Sequence, residues 1–470
     1  MKPVEITIVE VSEGRISVSM DDQARGSAAV KTWRADRRVV DSLCDRLEEA
    51  LREAREMPFT DSDRLRQQSE TQERLVSLGL ALYQEIMKEE GDALATMMGA
   101  PDEDLYLILK VDKALAYIPF ELMHNGHGFL SLSAAIGRVI LTEEVEASAS
   151  ATSGPPFRVL ITGDPSDDPA IREDVEREIE AIRRVFARER NYSLTIASGR
   201  EVDRGFLLST LPGTTLFHFT GHGVVDTKVD GTGLRLSDGK VLGAEALRGI
   251  RNPPGFVFLN MCVAASRTAW RSSIGIVETL LRRGVRACVA SLWDVGSRPA
   301  AELASRFYAY LIEGETFGQA LRKSRVDTAK VTGLHDATWA AYALYGDPRS
   351  TLTFGPTASR GMRMAARVVA LVAIGAFLLV FFLFPTAVHK ERFGTGGGVP
   401  VGYLLVESQP ADAIISVDGE PATRTPGTME LPPGRHHLVI EKQGYKRWEA
   451  WVEVKESART DVHADLVGIR

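Results

Sequence analysis

Hydrophobic and polar positions follow two rhythms along this chain, and the switches between them mark its elements. The opening MKPVEITIVEVSEG alternates with the period of a strand, and VVDSLCDRLEEALREAREM further on carries the 3.6-residue period of a helix. From about residue 105 the rhythms interleave. LYLILKVD, FRVLITGD (157–164), YSLTIAS, TLFHFTGHG, FVFLNMC and RACVASLWDV read as strands. Between them, IREDVEREIEAIRRVFARER and a stretch from about residue 272 read as helices, and GREVDRGFLLSTL separates YSLTIAS from TLFHFTGHG. Strands alternating with helices predict an α/β domain whose mostly parallel sheet is covered on both faces. No repeat of 20–50 residues interrupts the pattern.

A third pattern follows. Val368 to Val388 has no charged residue over 21 positions, and roughly 20 helical residues cross a hydrocarbon core. This predicts one transmembrane helix. Arg360, Arg363 and Arg367 precede it, against Lys390 and Arg392 with Glu391 after it, a bias that favours the N-terminal side as cytoplasmic. The glycines of ERFGTGGGVPVG make residues 389–401 a flexible linker. Residues 402–467 then alternate as short strands, broken by turn signals at Gln409-Pro410, Asp418-Gly419, Pro432-Pro433-Gly434 and Gln443-Gly444. They predict a small all-β domain near the lower size limit for independent folding. The expected order is thus an N-terminal strand and helix region (1–104), an α/β domain (105–355), the span (368–388), the linker and the β domain.

Composition narrows the chemistry. The 470 residues exceed one ordinary domain, and 44% hydrophobic with 25% charged residues supplies a normal core. A net charge of −7 without an extended basic run argues against a nucleic-acid partner. Three cysteines, Cys44, Cys262 and Cys288, make no disulfide framework and no CxxC pair, so structural zinc and dithiol redox chemistry find no support. They fit a reducing compartment. The N-terminus lacks the apolar stretch of a signal peptide. No cofactor and no metal site are expected; His124 and His127 in HNGHG read as a hairpin turn.

Two apolar runs end in reactive side chains. TLFHFT leads into Gly221-His222-Gly223, and FVFLNM leads into Cys262. In an open parallel sheet functional groups gather past the carboxyl ends of neighbouring strands, so imidazole and thiol are expected at one rim. There His222 would take the thiol proton and later protonate the leaving amine. The flanking glycines let backbone approach a substrate and leave amides free for an oxyanion. A lone cysteine after a strand is commonly core, and a lone histidine between glycines commonly a turn residue. The two together, His first and 40 residues apart, approach the caspase-type spacing of roughly 50. Cys288, inside ACVASLW, reads as core, and His218 as a buried supporting histidine on the same strand as His222.

Residues 105–350 resemble the CHAT family of clan CD peptidases, relatives of caspases and separases. The resemblance rests on Ile118-Pro119-Phe120-Glu121-Leu122, Gly163-Asp164-Pro165, Phe217 through Gly223 and Leu259-Asn260-Met261-Cys262. It continues through Gly284 to Val295, Phe307-Tyr308, Gly318-Gln319-Ala320-Leu321 and Trp339 through Pro348. It implies a caspase-like fold and peptide hydrolysis, with Cys262 as nucleophile, His222 as general base and acid, and the amides of Gly223 and Cys262 as oxyanion donors. Asp164 stands where related peptidases place a specificity residue, which would favour a basic P1 side chain; it reads equally as a turn cap before Pro165. Trp293 and Asp294 are candidates to line the same pocket. The C-terminal module resembles the PEGA-type β domain through Ser408-Gln409-Pro410, Val417-Asp418-Gly419, Thr425-Pro426, Pro433-Gly434 and Gly444-Tyr445, with Pro410-Ala411-Asp412-Ala413 replacing the naming tetrapeptide.

The expectation is a membrane-anchored cysteine endopeptidase, its protease domain cytoplasmic and its β domain extracytoplasmic, that cleaves a specific protein partner in bacterial stress, death or defence signalling. That partner could be encoded by a neighbouring gene. An envelope ligand or protein is expected at the β domain, and oligomerisation is one route for a signal through a single helix. The alternative is a catalytically silent, membrane-bound caspase-fold scaffold or sensor that only binds partners.

Overall fold

The computed structural model describes residues 3–12, 14–22, 30–56, 63–98, 105–141, 156–163, 168–187, 189, 191–224, 233–237, 239–262, 267–352, 402–455 and 459–468. They fall into two compact units, one up to residue 371 and one from 372 onward. The predicted span at 368–388 and the linker at 389–401 lie outside the described residues. Among the described residues no helix is long and apolar enough to cross a membrane.

One 13-stranded sheet organises the first unit. Its N-terminal half contains β1 (Val4–Ser12), β2 (Arg15–Asp22), β3 (Lys31–Asp36), β4 (Tyr106–Asp112) and β5 (Ala135–Leu141). The other half contains β6 (Phe157–Gly163), β7 (Tyr192–Ser198), β8 (Leu216–Val224), β9 (Gly233–Arg235), β10 (Val241–Gly243), β11 (Phe256–Cys262), β12 (Ala287–Ser291) and β13 (Tyr342–Gly346). The continuous path runs β10-β9-β8-β11-β12-β13-β5-β4-β1-β2-β3, with β6 beside β8 and β7 beside β6. Strands β7, β6, β8, β11 and β12 are mutually parallel, as are β13, β5, β4 and β1. The two parallel blocks meet head to tail where β12 and β13 pair antiparallel. The mostly parallel sheet is therefore present, and β1, β2 and β3 extend it.

Ten α-helices are described in this unit: α1 (Arg37–Glu56), α2 (Arg64–Met87), α3 (Gly91–Met98), α4 (Leu130–Ser133), α5 (Arg172–Phe186), α6 (Arg204–Thr210), α7 (Ala244–Arg248), α8 (Arg267–Arg282), α9 (Ser297–Glu313) and α10 (Phe317–Thr332). Strand alternation decides which layer each residue meets. Phe217 of β8 and Leu259 of β11 line one small space with Leu247 of α7 and Leu280 of α8. On the opposite face Phe256 stacks on Phe307 of α9 and Phe317 of α10, and Phe258 meets Tyr308. Helix α8 starts at Arg267, before the expected 272. The expected strand RACVASLWDV ends at Ser291, and Leu292 to Val295 leave the sheet toward α9.

The IPFEL segment serves the core. The fully buried Arg138 donates through Nε to Glu121 at 3.2 Å and through Nη1 to the Ala116 carbonyl at 2.6 Å. Paired charges of this kind tolerate burial only with their hydrogen bonds intact.

The second unit is all β: β14 (Gly402–Gln409), β15 (Ile414–Val417), β16 (Glu420–Arg424), β17 (Gly427–Leu431), β18 (Gly434–Glu441), β19 (Trp448–Val454) and β20 (Arg459–Asp465). Sheets β17-β14-β20 and β16-β15-β18-β19 enclose Leu404, Val406, Ile415, Leu438 and Ile440. All four expected turns fall at junctions between strands, with Gln409 ending β14 and Gly434 opening β18.

Candidate active site

Strand β8 runs parallel to β11, with Phe258 opposite His218, Asn260 opposite Thr220 and Cys262 opposite His222. Adjacent strands lie about 4.8 Å apart, so the last pair sets the backbones of His222 and Cys262 side by side at the carboxyl edge. The apolar runs dictate this: both strands are buried to within a few residues of their ends, and β8 becomes half-buried only from His222 onward.

Beneath that edge lies a polar network that periodicity alone does not show. Helix α5 buries Val175, Glu178, Ile179, Ile182 and Phe186 along one stripe. Gly163, at the end of β6, permits this close packing: a Cβ there would come within 2.5 Å of Ile179 and 2.7 Å of Val175. Glu178 thereby reaches the sheet. Its carboxylate accepts from Thr220 Oγ1 at 2.7 Å, from Asn260 Nδ2 at 2.7 and 2.8 Å, and meets His218 Nε2 at 3.1 Å. Asn260 Oδ1 accepts from the Tyr342 hydroxyl at 2.7 Å. A carboxylate only accepts, so His218 Nε2 carries the proton and Nδ1 faces the Tyr308 hydroxyl at 2.9 Å. Burial beside Glu178 pushes the Tyr308 phenol well above its ordinary value. His218 is fully buried, as its place inside the apolar run predicts. One carboxylate thus ties β8 to β11 two residues below both His222 and Cys262.

At the rim the environment changes. His222 Nε2 lies 3.2 Å from Asp168 Oδ2, and its side chain keeps 26% of its exposure. Asp168 enters α5: its Oδ1 accepts from Ala170 N at 2.9 Å, and its carbonyl accepts from Ile171 N and Arg172 N. The amide bond and the imidazole, with the charge of Arg235 on β9, hold its carboxyl below the ordinary range. Gly221 takes a φ of +155°, open to glycine and resisted by other residues, and Gly223 is in register with Leu234 of β9.

Trp293 and Asp294 follow β12 at the same rim, whose end is tied to β11 by the Ser291 hydroxyl donating to the Met261 carbonyl at 2.8 Å. Both line a cavity of about 600 Å³ shared with Arg55, Arg64, His335 and Asp336. Trp293 is almost fully buried. Asp294 Oδ2 accepts from Arg55 Nη2, in the last turn of α1, at 2.8 Å, while its buried Oδ1 has no hydrogen-bond partner among the described residues. Asp164 lies outside the described residues. Cys288 is fully buried, and burial pushes its thiol far up, which suits a core residue. His124 and Phe129 bridge the HNGHG turn, with the Asn125 side chain accepting from His127 N and Gly128 N. Among the described residues no group of three metal-ligating side chains gathers.

Asp168, Glu178 and Arg55 were not anticipated. For Glu178 a signal existed, since it stands three residues after Val175 on the apolar stripe of α5. Asp168 depends on the path of a loop, and Arg55 on the docking of α1, and neither leaves a periodic trace.

The CHAT domain family matches residues 78–347, more than half of the chain. The chain belongs to the CHAT domain family. The PEGA domain family matches residues 401–469. Among solved structures, a chain of the Saccharomyces cerevisiae separase–securin complex determined at 2.6 Å superposes with a TM-score of 0.50 at 12% identity, covering 73% of this chain and 30% of that one. The same complex at 3.0 Å gives a TM-score of 0.49 at 12% identity, with the same coverage. This CHAT protein thus spans about a third of the separase–securin complex chains it resembles, and the superposition on the 2.6 Å structure shows a separase-like fold. Comparison with curated proteins finds no match.

Proposed function

We propose that this CHAT protein is a membrane-anchored cysteine endopeptidase with His222 and Cys262 as its catalytic pair. The carrying observation is the register that makes Cys262 the direct partner of His222 at the carboxyl ends of neighbouring parallel strands. In the proposed reaction His222 takes the thiol proton, the Cys262 sulfur attacks the scissile carbonyl, and the amides of Gly223 and Cys262 hold the oxyanion. Collapse breaks the C–N bond as His222 returns the proton to the leaving amine. Water, deprotonated by His222, then hydrolyses the thioester and frees the thiol.

Trp293 and Asp294 line the substrate pocket in this reading, with Asp164 as a further acidic group. A basic P1 side chain is favoured, and the hold of Asp294 on the Arg55 guanidinium supports it: the acidic group already accepts that chemistry within the chain. The apolar run Val368–Val388 supports one inner-membrane span, with the protease unit in the reducing cytoplasm and the PEGA-matching unit outside. On that outer unit Trp451 is 59% exposed beneath the Arg435 guanidinium, a surface suited to a ligand or protein. The cleaved protein, in this reading, is a specific partner in stress, death or defence signalling, encoded nearby.

Full-length protein in membranes, offered a peptide library varied at P1, tests the proposal. Cleavage after Arg or Lys that disappears in Cys262→Ala is the expected result. Cleavage that survives in Cys262→Ala contradicts the assignment, and no cleavage at all favours a binding scaffold.

A further inference from the structure

We infer that Asp168 is the third member of the site, a positioning residue that fixes the tautomer of His222 by accepting its Nε2 proton and so leaves Nδ1 as the base for Cys262. This rests on the reading of His222 and Cys262 as the catalytic pair and adds to that pair a carboxylate.

Three observations carry it. Asp168 Oδ2 lies 3.2 Å from His222 Nε2, and an ionised carboxylate has no proton to offer, so the imidazole must donate. In a neutral imidazole the other nitrogen then holds the lone pair, because the bond made by one ring nitrogen sets the protonation of the other. Asp168 is also prevented from wandering. Its Oδ1 is bound by Ala170 N, and its carbonyl by Ile171 N and Arg172 N at the entry to α5, which leaves Oδ2 toward the ring. Finally, α5 is seated on the sheet by Glu178, which bonds side chains of both β8 and β11. The helix that presents Asp168 is therefore tied to the two strands that carry His222 and Cys262.

The proton balance follows. Nδ1 accepts the thiol proton, giving thiolate and imidazolium; Asp168 stays ionised and stabilises the imidazolium charge through the Nε2–H bond; Nδ1–H then passes its proton to the leaving amine. Among the described residues, the other charged and titratable groups on the elements that meet this pair include Arg235 on β9, Arg172, Glu173, Asp174, Glu176 and Arg177 in the first half of α5, and, deeper, Glu178 and His218. Arg235 favours an ionised Asp168.

The test uses full-length protein and two readouts: the pH dependence of Cys262 alkylation by iodoacetamide, resolved by peptide mass spectrometry, and kcat with KM on a cleavable peptide. In D168N and D168A, kcat falls by at least about tenfold with KM moved less. The acid limb of alkylation moves up by about one pH unit, because the imidazolium that stabilises the thiolate has lost its partner. D168E recovers part of both. Limbs that stay in place overturn the inference, whether kcat is unchanged or falls in amplitude alone, since a role only in the entry to α5 would lower the amount of active protein without moving them. A wild type whose Cys262 reacts no faster than an ordinary cysteine, with Cys262→Ala as active as wild type, overturns the catalytic pair and Asp168 with it.

Discussion

His218 and His222 project from the same face of β8 into opposite settings. His218 is wholly buried, with both ring nitrogens engaged by Glu178 and Tyr308 in a network that continues through Thr220, Asn260 and Tyr342. His222, two strand repeats further on, is partly open to water and meets the carboxylate of Asp168. A histidine with both nitrogens occupied in a dry core has no lone pair for a substrate and contributes order. One held by a single acceptor among the described residues, at a strand end, leaves its other nitrogen for the proposed chemistry. The contrast repeats in the thiols: Cys288 lies mid-strand in the core with a strongly raised pKa, whereas Cys262 ends its strand beside His222.

The sharpest way to break this comparison is to remove one histidine at a time. His222→Ala should lower turnover by at least about 10³-fold, with little change in melting temperature. The buried network should behave in the opposite sense. Glu178→Ala strands the Thr220, Asn260 and His218 donors in the core and should cost about 3 kcal/mol of stability in chemical denaturation. Activity per folded molecule should fall less than in His222→Ala. If Glu178→Ala denatures like wild type, the network is not the brace described here.

Two smaller effects refine the picture. Arg55→Ala frees Asp294 and should raise kcat/KM on peptides with P1 Arg by roughly two- to fivefold, in line with the modest strength of a partly exposed ion pair. Equal gains on peptides with P1 Leu would separate Arg55 from specificity. In the β unit, His436 bonds Asp418 at 2.7 Å and the Pro432 carbonyl at 2.8 Å, and the Asp418 bond raises its pKa. A raised folded-state pKa stabilises fully below the unfolded value near 6.5 and is lost as pH rises through the folded value. The melting temperature of that unit should therefore fall slightly as pH rises through and above that range, and His436→Gln should flatten the slope.

Much of this architecture is legible in the sequence because its determinants are periodic. TLFHFT and FVFLNM are continuous apolar runs, as strands buried on both faces require, and their ends give the rim with His222 and Cys262. His218 is equally readable, since it falls inside the run. Glu178 is half-legible, a carboxylate on the apolar stripe of α5 that burial permits only with partners. Asp168 and Arg55 leave no periodic mark. The former depends on how the chain turns between β6 and α5, and the latter on α1 docking against the loop after β12, a contact 239 residues apart in sequence. Local pattern places elements; only tertiary packing decides which side chains from distant elements share a cavity.

The central claim is that Cys262, paired with His222, is a reactive thiolate at the sheet edge. The direct measurement is labelling of the intact protein at neutral pH with a peptidyl electrophile bearing P1 Arg, with the modified residue located by mass spectrometry. The account predicts a label on Cys262, none on Cys44 or Cys288, and loss of labelling in His222→Ala while the protein stays folded. An unlabelled Cys262, or one labelled equally fast without His222, would contradict it.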